Sequence, residues 1–355
     1  MKKTVLIIHT TRSTFVQKDI DAISKKHNVI SYYFHASKSI LDISIKLMKL
    51  FFFLVLRIRK IDIVISWFCD FHTLLPMLYA KMFNKKSFII IGGFDAVSLP
   101  HLNYGLFVKK DMRNRMARLA YLFADILLPV DASLIKGLNV YGDPSGKGYP
   151  VGVRSFIPTM HAEVYVLPTG YDSNFWSNPH SIIHNKNSVL SVAFVSNEKV
   201  FRLKGFDLLL AAAKLLPDFE FTLVGLSGKM LEYVKNNSGK NVKVEPPIKN
   251  NELPAFFSRH HIYAQLSESE GLPNSLCEAM LCECIPVGSD VNGIPTGIGD
   301  TGFILKKRDA HMAAELFQKA SEAGEDLGKK ARNRIIAKFS NEQREYKLLR
   351  LIDNS

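Results

Sequence analysis

The stretch that most constrains this chain is residues 264–289, AQLSESEGLPNSLCEAMLCECIPVGS. It reads as a short apolar strand (263–266), a polar loop (267–274), a helix (275–284) and a buried strand (285–288). Strand, loop, helix, strand is the βαβ grammar of a doubly wound parallel sheet, because parallel neighbours need a long crossover between them. Two carboxylates frame the turn: Glu270 on the loop, and Glu278 inside the helix, about one turn past its start. The backbone N–H groups of residues 274–276 are the unpaired donors of that helix start, an arrangement that suits a diphosphate. The two carboxylates suit sugar or ribose hydroxyls. Either glutamate alone would more simply be a solvated side chain; the whole string is more specific.

EGLPNSLCEAM resembles the E-x7-E segment of retaining GT-B glycosyltransferases of family 4. By that resemblance Glu270 contacts the donor sugar and Glu278 holds the nucleotide ribose, while Gly271, Leu272, Pro273, Asn274 and Ser275 line the donor site. The resemblance implies an α/β protein with two Rossmann-like domains facing across a cleft.

The length of 355 residues suits two such domains, each with its own core. Four cysteines, Cys69, Cys277, Cys282 and Cys284, are too few and too clustered for a disulfide scaffold, and Cys282-x-Cys284 lacks paired metal-ligand spacing. Buried reduced thiols fit a cytoplasmic protein. Met1-Lys2-Lys3 leads directly into VLIIH, too short a run for a secretory leader.

The net charge of +13 is unevenly spread: residues 1–180 carry 23 Lys and Arg against 12 Asp and Glu. A basic first half calls for an anionic partner. The segment from Ser39 to Lys60, SILDISIKLMKLFFFLVLRIRK, couples that charge to a greasy core too short to span a bilayer. Two readings stand side by side. The segment lies on an anionic membrane surface, held by its Phe/Leu face and by Lys46, Lys49, Arg57, Arg59 and Lys60, or it is a core helix with solvated lysines. Nucleic acid is disfavoured, since the basic residues alternate with aliphatic bulk rather than stacking aromatics.

In chain order, strands are expected at 4–9, 28–34, 62–67, 87–91 and 125–129, with helices between them. The loop after the first strand lacks G-x-G-x-x-G, which argues against dinucleotide binding there. Residues 92–95 read Gly-Gly-Phe-Asp. Many members of the resembled family have His-Gly-x-Asp here; Gly92 replaces the His, and Asp95 matches the Asp. His9, Asp70, His72 and His101 also lie near strand ends, where a lone polar residue is more often structural. The basic helix at 109–123 resembles the family's arginine-bearing helix, and residues 168–172, PTGYD, its domain-closing turn.

The domains are expected at 1–178 and 187–338, with a polar linker at 178–186 and a C-terminal helix, 339–355, that by resemblance crosses back to the first domain. A new sheet is expected from Ser191. Residues 202–207, RLKGFD, resemble the Arg/Lys-Gly element that binds the donor diphosphate, with Lys204 a clean match and Arg202 a candidate substitute. Fixed cations stabilise the charge that gathers on a leaving diphosphate. Pro247 and Ile248 fall where the family's backbone meets the nucleobase, and residues 310–339 read as helical.

The resemblance implies a retaining hexosyltransferase that moves a sugar from a UDP- or GDP-sugar to a hydroxyl acceptor, with lipid-linked glycan or surface polysaccharide synthesis the expected setting. Glu270, Lys204, Arg202 and Asp95 are the expected catalytic set, without cofactor or metal. The expected place is the cytoplasm, with peripheral attachment to the inner face of the cell membrane. A sugar-nucleotide epimerase and a non-catalytic sugar-nucleotide binder of the same fold remain the alternatives.

Overall fold

The computed structural model describes residues 1–35, 39–178 and 185–355. Apolar runs alternate with amphipathic ones, and each alternation gives one strand and one crossover helix. The first six-stranded sheet uses β1 (Thr4–His9), β2 (Asn28–Tyr33), β3 (Ile63–Trp67), β4 (Lys86–Ile91), β5 (Ile126–Pro129) and β8 (Glu163–Val164), in the order β2-β1-β3-β4-β5-β8, every pair parallel. Between β5 and β8, β6 (Gly137–Asn139) and β7 (Tyr149–Val151) form a two-stranded ribbon. The second sheet uses β9 (Asn185–Val195), β10 (Glu220–Leu226), β11 (Val242–Glu245), β12 (His260–Gln265), β13 (Ile285–Ser289) and β14 (Phe303–Leu305), in the parallel order β11-β10-β9-β12-β13-β14. β3, β12 and β13 are buried at every position because helices cover both faces, whereas β9 is buried over 188–191 and at Val195 and exposes Phe194.

In the first half the helices are α1 (Thr14–Ser24), α2 (Ile40–Arg57), α3 (Leu74–Met82), α4 (Met112–Phe123) and the single turn α5 (Val153–Phe156). In the second they are α6 (Glu198–Leu203), α7 (Phe206–Leu215), α8 (Gly228–Asn237), α9 (Leu253–Phe257), α10 (Asn274–Leu281), α11 (Gly293–Ile298), α12 (Ala310–Glu322), α13 (Glu325–Lys338) and α14 (Asn341–Asp353).

Several boundaries differ from the sequence expectation for local reasons. The basic helix begins at Met112, because Asp111 caps it by accepting the Asn114 N–H at 3.0 Å. The run expected as one helix over 310–339 is two, split where Gly324 adopts an extended conformation. The second sheet starts at Asn185, before Ser191, and most of the expected linker lies outside the described residues.

The chain divides into two compact units: residues 1–137, 150–170 and 342–355, and residues 138–149 with 171–341. The ribbon segment 138–149, placed in the first domain by sequence, thus packs with the second. Within the first unit α14 is fastened by Arg344, whose guanidinium holds the Asp19 carboxylate through two 2.7 Å bonds and donates to the carbonyls of Leu167 and Pro168. Asp19 also accepts from the Trp67 indole at 2.8 Å. Both charges are buried, so this pair is satisfied rather than solvated.

Candidate active site

Strand order decides where a site forms. In the second sheet the chain runs outward from β9 to β10 and β11, then returns to the other side of β9 with β12. A ligand crevice opens at such a reversal, outside the carboxyl ends of the two central strands. The segment after β9 carries Arg202 and Lys204; the loop after β12 carries Glu268 and Glu270.

The two loops are stitched together by backbone. The Glu268 N–H donates to the Leu203 carbonyl at 2.8 Å. Gly205 sits at φ +73°, where a Cβ would lie 2.2 Å from the Leu266 carbonyl oxygen. Glycine is therefore the residue that lets the chain turn into α7 against β12. The turn brings Lys204 Nζ to 2.6 Å from Glu270 Oε1. The same oxygen accepts from Ser267 Oγ at 2.8 Å and Gln265 Nε2 at 3.2 Å. Gln265 is fixed in turn by Tyr263 and Ser275, each donating to its Oε1 at 3.3 Å. Among the described residues every hydrogen bond to the Glu270 carboxylate falls on Oε1. The lysine and glutamate side chains keep 27% and 13% exposure, so the pair is held yet reachable.

The motif helix α10 begins directly after this loop, at Asn274, with Pro273 at its N-cap and no side chain capping it. Gly271, Leu272 and Pro273 are buried; Asn274, Ser275 and Glu278 are half-buried on its first turns. Asn274 Oδ1 accepts from the Tyr171 hydroxyl at 3.0 Å. Pro247 and Ile248 follow β11, exposed and half-buried respectively, in the same unit.

Arg202 is not beside Lys204's partner. It lies 3.3 Å from Glu268, a carboxylate with no exposed surface. Arg308 Nε lies 2.9 Å from the same Glu268 oxygen, Oε1, and its Nη2 holds Asp207 at 2.6 and 2.5 Å. The ribbon closes over this cluster: Asn139 Nδ2 donates to the Glu268 carbonyl at 2.7 Å, and a Cβ on Gly142 would lie 2.8 Å from its carboxylate. Sequence reasoning missed Glu268 and Arg308. The available signal for Arg308 was position: it follows the end of β14, on the carboxyl side of the sheet, within a KKRD run. Among the described residues no group of three or more His, Cys, Asp or Glu is placed to hold a metal ion.

Asp95 belongs to the first unit. It is buried, and its carboxylate accepts from the backbone N–H groups of Gly93 at 2.9 Å and of Gly92 and Cys69 at 3.1 Å. Burial pushes it up to about 6 despite those donors. Gly92 is not an empty position, since a Cβ there would lie 2.0 Å from the Phe68 ring. Phe68, held at φ +62°, fills the space that a side chain at 92 would take. His9 bonds the Thr11 carbonyl and Ser31, and Asp70 is clamped by Arg113 at 2.7 Å. His72 is buried beside Ser66, and burial drives it down to about 4. His101 is exposed. Asp95, His9 and Asp70 thus each hold groups of the first unit.

Residues 172–338 match the sequence model of the glycosyl transferases group 1 family. That span contains Arg202, Lys204, Glu268, Glu270, Glu278 and Arg308. Among solved structures the whole chain is similar to a sucrose-phosphate synthase of Thermosynechococcus elongatus, with TM-score 0.75, 16% identity and 99% of each chain covered. It is also similar to Anabaena HepE in complex with UDP, with TM-score 0.71, 14% identity and both chains fully covered. For the same HepE with UDP-glucose the TM-score is 0.69 at 14% identity, over 99% of this chain and 100% of that one. At such identities the likeness establishes the fold, which is GT-B. No curated protein sequence matches the chain significantly.

Proposed function

We propose that this protein is a retaining glycosyltransferase of family 4 type. It moves a hexosyl group from a UDP- or GDP-sugar to a hydroxyl of a lipid-linked glycan or surface-polysaccharide precursor, on the cytoplasmic side of a membrane. The observation that carries this reading is the Lys204–Glu270 pair at the β9/β12 reversal, immediately before the start of α10. The HepE structures, similar in fold, contain UDP and UDP-glucose.

In this reading Glu270 accepts hydrogen bonds from the donor sugar, with Lys204 and the Oε1 network fixing its rotamer. Glu278 takes the ribose hydroxyls, and residues 271–275 with Pro247 and Ile248 line the rest of the donor. Lys204, with Arg202 beside it in sequence, stabilises the leaving diphosphate together with the start of α10. The departing phosphate itself assists deprotonation of the acceptor on the same face, so no protein nucleophile and no metal are required. Asp95 supports the Gly92-Gly93 turn. A non-catalytic sugar-nucleotide binder is the second reading, favoured by one observation: Phe68 occupies the place of a side chain at Gly92.

The test is a thermal-shift screen of nucleoside diphosphates, followed by turnover of the stabilising donor on lipid-linked acceptors with the anomeric configuration of the product determined. Stabilisation and turnover with retained configuration support the proposal. Binding without turnover selects the second reading, and an inverted product removes the retaining assignment.

A further inference from the structure

Helix α2 is apolar on two opposite sides. Leu50 and Leu54 are fully buried, with Ile43 and Leu47 half-buried on the same stripe. Leu41, Ile45, Met48, Phe52 and Val55 recur at the same three-and-four spacing on the other side, and each is between 41% and 72% exposed. Core packing accounts for the first stripe only. Single exposed apolar residues are ordinary, but a continuous stripe marks a contact surface.

The stripe does not stop at α2. Phe51 meets Tyr79 of α3 edge-on at 5.8 Å, and Tyr79 stacks on Phe83 at 6.0 Å, beside the exposed Met82. The residues around that corner change character at once: Lys81, Asn84 and Lys85 line a cavity of about 530 Å³ together with Lys2, Lys3 and Lys86. Its two side-chain carboxylates each accept from a backbone N–H, Asp62 from Thr4 at 2.8 Å and Asp125 from Ser87 at 3.0 Å, and Ser355, whose main-chain oxygen accepts from Lys3 at 3.2 Å, lines it too. Lys3 donates to the carbonyls of Ile352 and Asp353. Among the described residues Lys2, Lys81, Lys85 and Lys86 make no ion pair. Further cations border the stripe: Lys49, Arg57, Arg59 and Lys60 are exposed, while Lys46 is paired with Asp42.

We infer that this α2–α3 face docks on an anionic lipid bilayer, the apolar stripe entering the acyl boundary and the lysine-lined cavity taking a phospholipid headgroup phosphate. Charge complementarity selects this occupant. A second copy of the chain would set the same cations against each other. No helix among the described residues is long and apolar enough to cross a membrane. The inference rests on the lipid-linked acceptor reading for its purpose and on none of the donor-site residues for its geometry.

The experiment co-sediments the full chain with vesicles of phosphatidylcholine alone or mixed with phosphatidylglycerol, at low and at raised salt. Binding to the mixed vesicles that weakens with salt is expected. Phe52→Ser with Val55→Ser should lower the partition coefficient tenfold or more. Lys81→Gln with Lys85→Gln should lower it about 25-fold, near fivefold for each charge. Neither pair should alter the far-UV circular dichroism. No sedimentation at low salt, equal affinity for neutral vesicles, or a wild-type dimer that the Phe52 and Val55 changes dissociate would overturn the inference. A UDP thermal shift measured without lipid reads the donor site separately, so its loss with sedimentation retained fails the sugar-nucleotide reading alone.

Discussion

At the end of β12 a carboxylate meets a lysine ammonium at 2.6 Å; after β4 a carboxylate meets three backbone amides. Both lie at the carboxyl edge of a parallel six-stranded sheet, and both are held by turns that contain glycine. The difference is exposure. Glu270 and Lys204 retain surface and can exchange partners with a ligand, whereas Asp95 is buried and its acceptor capacity serves the turn. One unit leaves its strand-end charges reachable, and the other uses them to hold its own backbone. What the first unit leaves open instead is apolar surface on α2.

The sharpest way to break this comparison is Asp19→Ala, which strands the buried Arg344 guanidinium. It should cost the first unit about 3–5 kcal/mol while leaving nucleotide affinity intact. Urea unfolding beside nucleotide titration checks both. The chain has two tryptophans, Trp67 in the first unit and Trp176 in the second, so Trp176→Phe gives a background that reports the first unit alone.

Lys204→Ala should do the reverse, lowering kcat about 10²–10³-fold with an unfolding change of less than about 1 kcal/mol. Wild-type turnover in that variant would move the phosphate cation elsewhere, with Arg202 next in sequence.

The pH response separates the units further. Burial holds Asp95 up at about 6 and His72 down at about 4. Between about pH 4 and 6 the folded unit keeps a proton on Asp95 that the unfolded chain has released, so this group makes stability fall as pH rises. Over nearly the same range the unfolded chain carries a proton on His72 that the folded unit refuses, so that group makes stability rise with pH. The two oppose each other. Asp95→Asn should unmask the histidine, with stability rising by about 3 kcal/mol from pH 4 to 6.5. A flat profile in the variant would refute the opposition.

Smaller effects sharpen the contrast. Glu278→Ala should weaken nucleoside diphosphate binding by about 1–3 kcal/mol, read by calorimetry. An unchanged affinity removes Glu278 from the ribose. Lys25→Gln breaks the exposed pair with Glu345 on α14, and its cost should stay below about 1 kcal/mol. Set against Asp19→Ala, it measures how much burial adds to a charge pair that holds the same helix.

Most of the elements could be read from the chain, because apolar period and turn residues are local properties. The motif helix starts at Asn274, one residue before the expected 275, and ends at Leu281, three residues before the expected 284. The long helix at 310–339 was misread because its apolar period continues on both sides of Gly324, and a single glycine does not by itself require a break. Glu268 stayed hidden two residues from Glu270, since nothing in an S-E-S-E run tells a buried carboxylate from a solvated one.

What the sequence alone determined is therefore the alternation of strands and helices and the loop–helix that carries Glu270 and Glu278. Those follow from contacts within a few residues. Tertiary structure decided which distant segments meet. Pairing β12 beside β9 put Lys204 against Glu270, 66 residues away, and Arg308 and Arg202 against Glu268. It also decided that Phe68 fills the space at Gly92, and which of the two apolar sides of α2 is covered. Strand order and the choice between two equally apolar helix faces are set by non-local burial, which no short window of sequence contains.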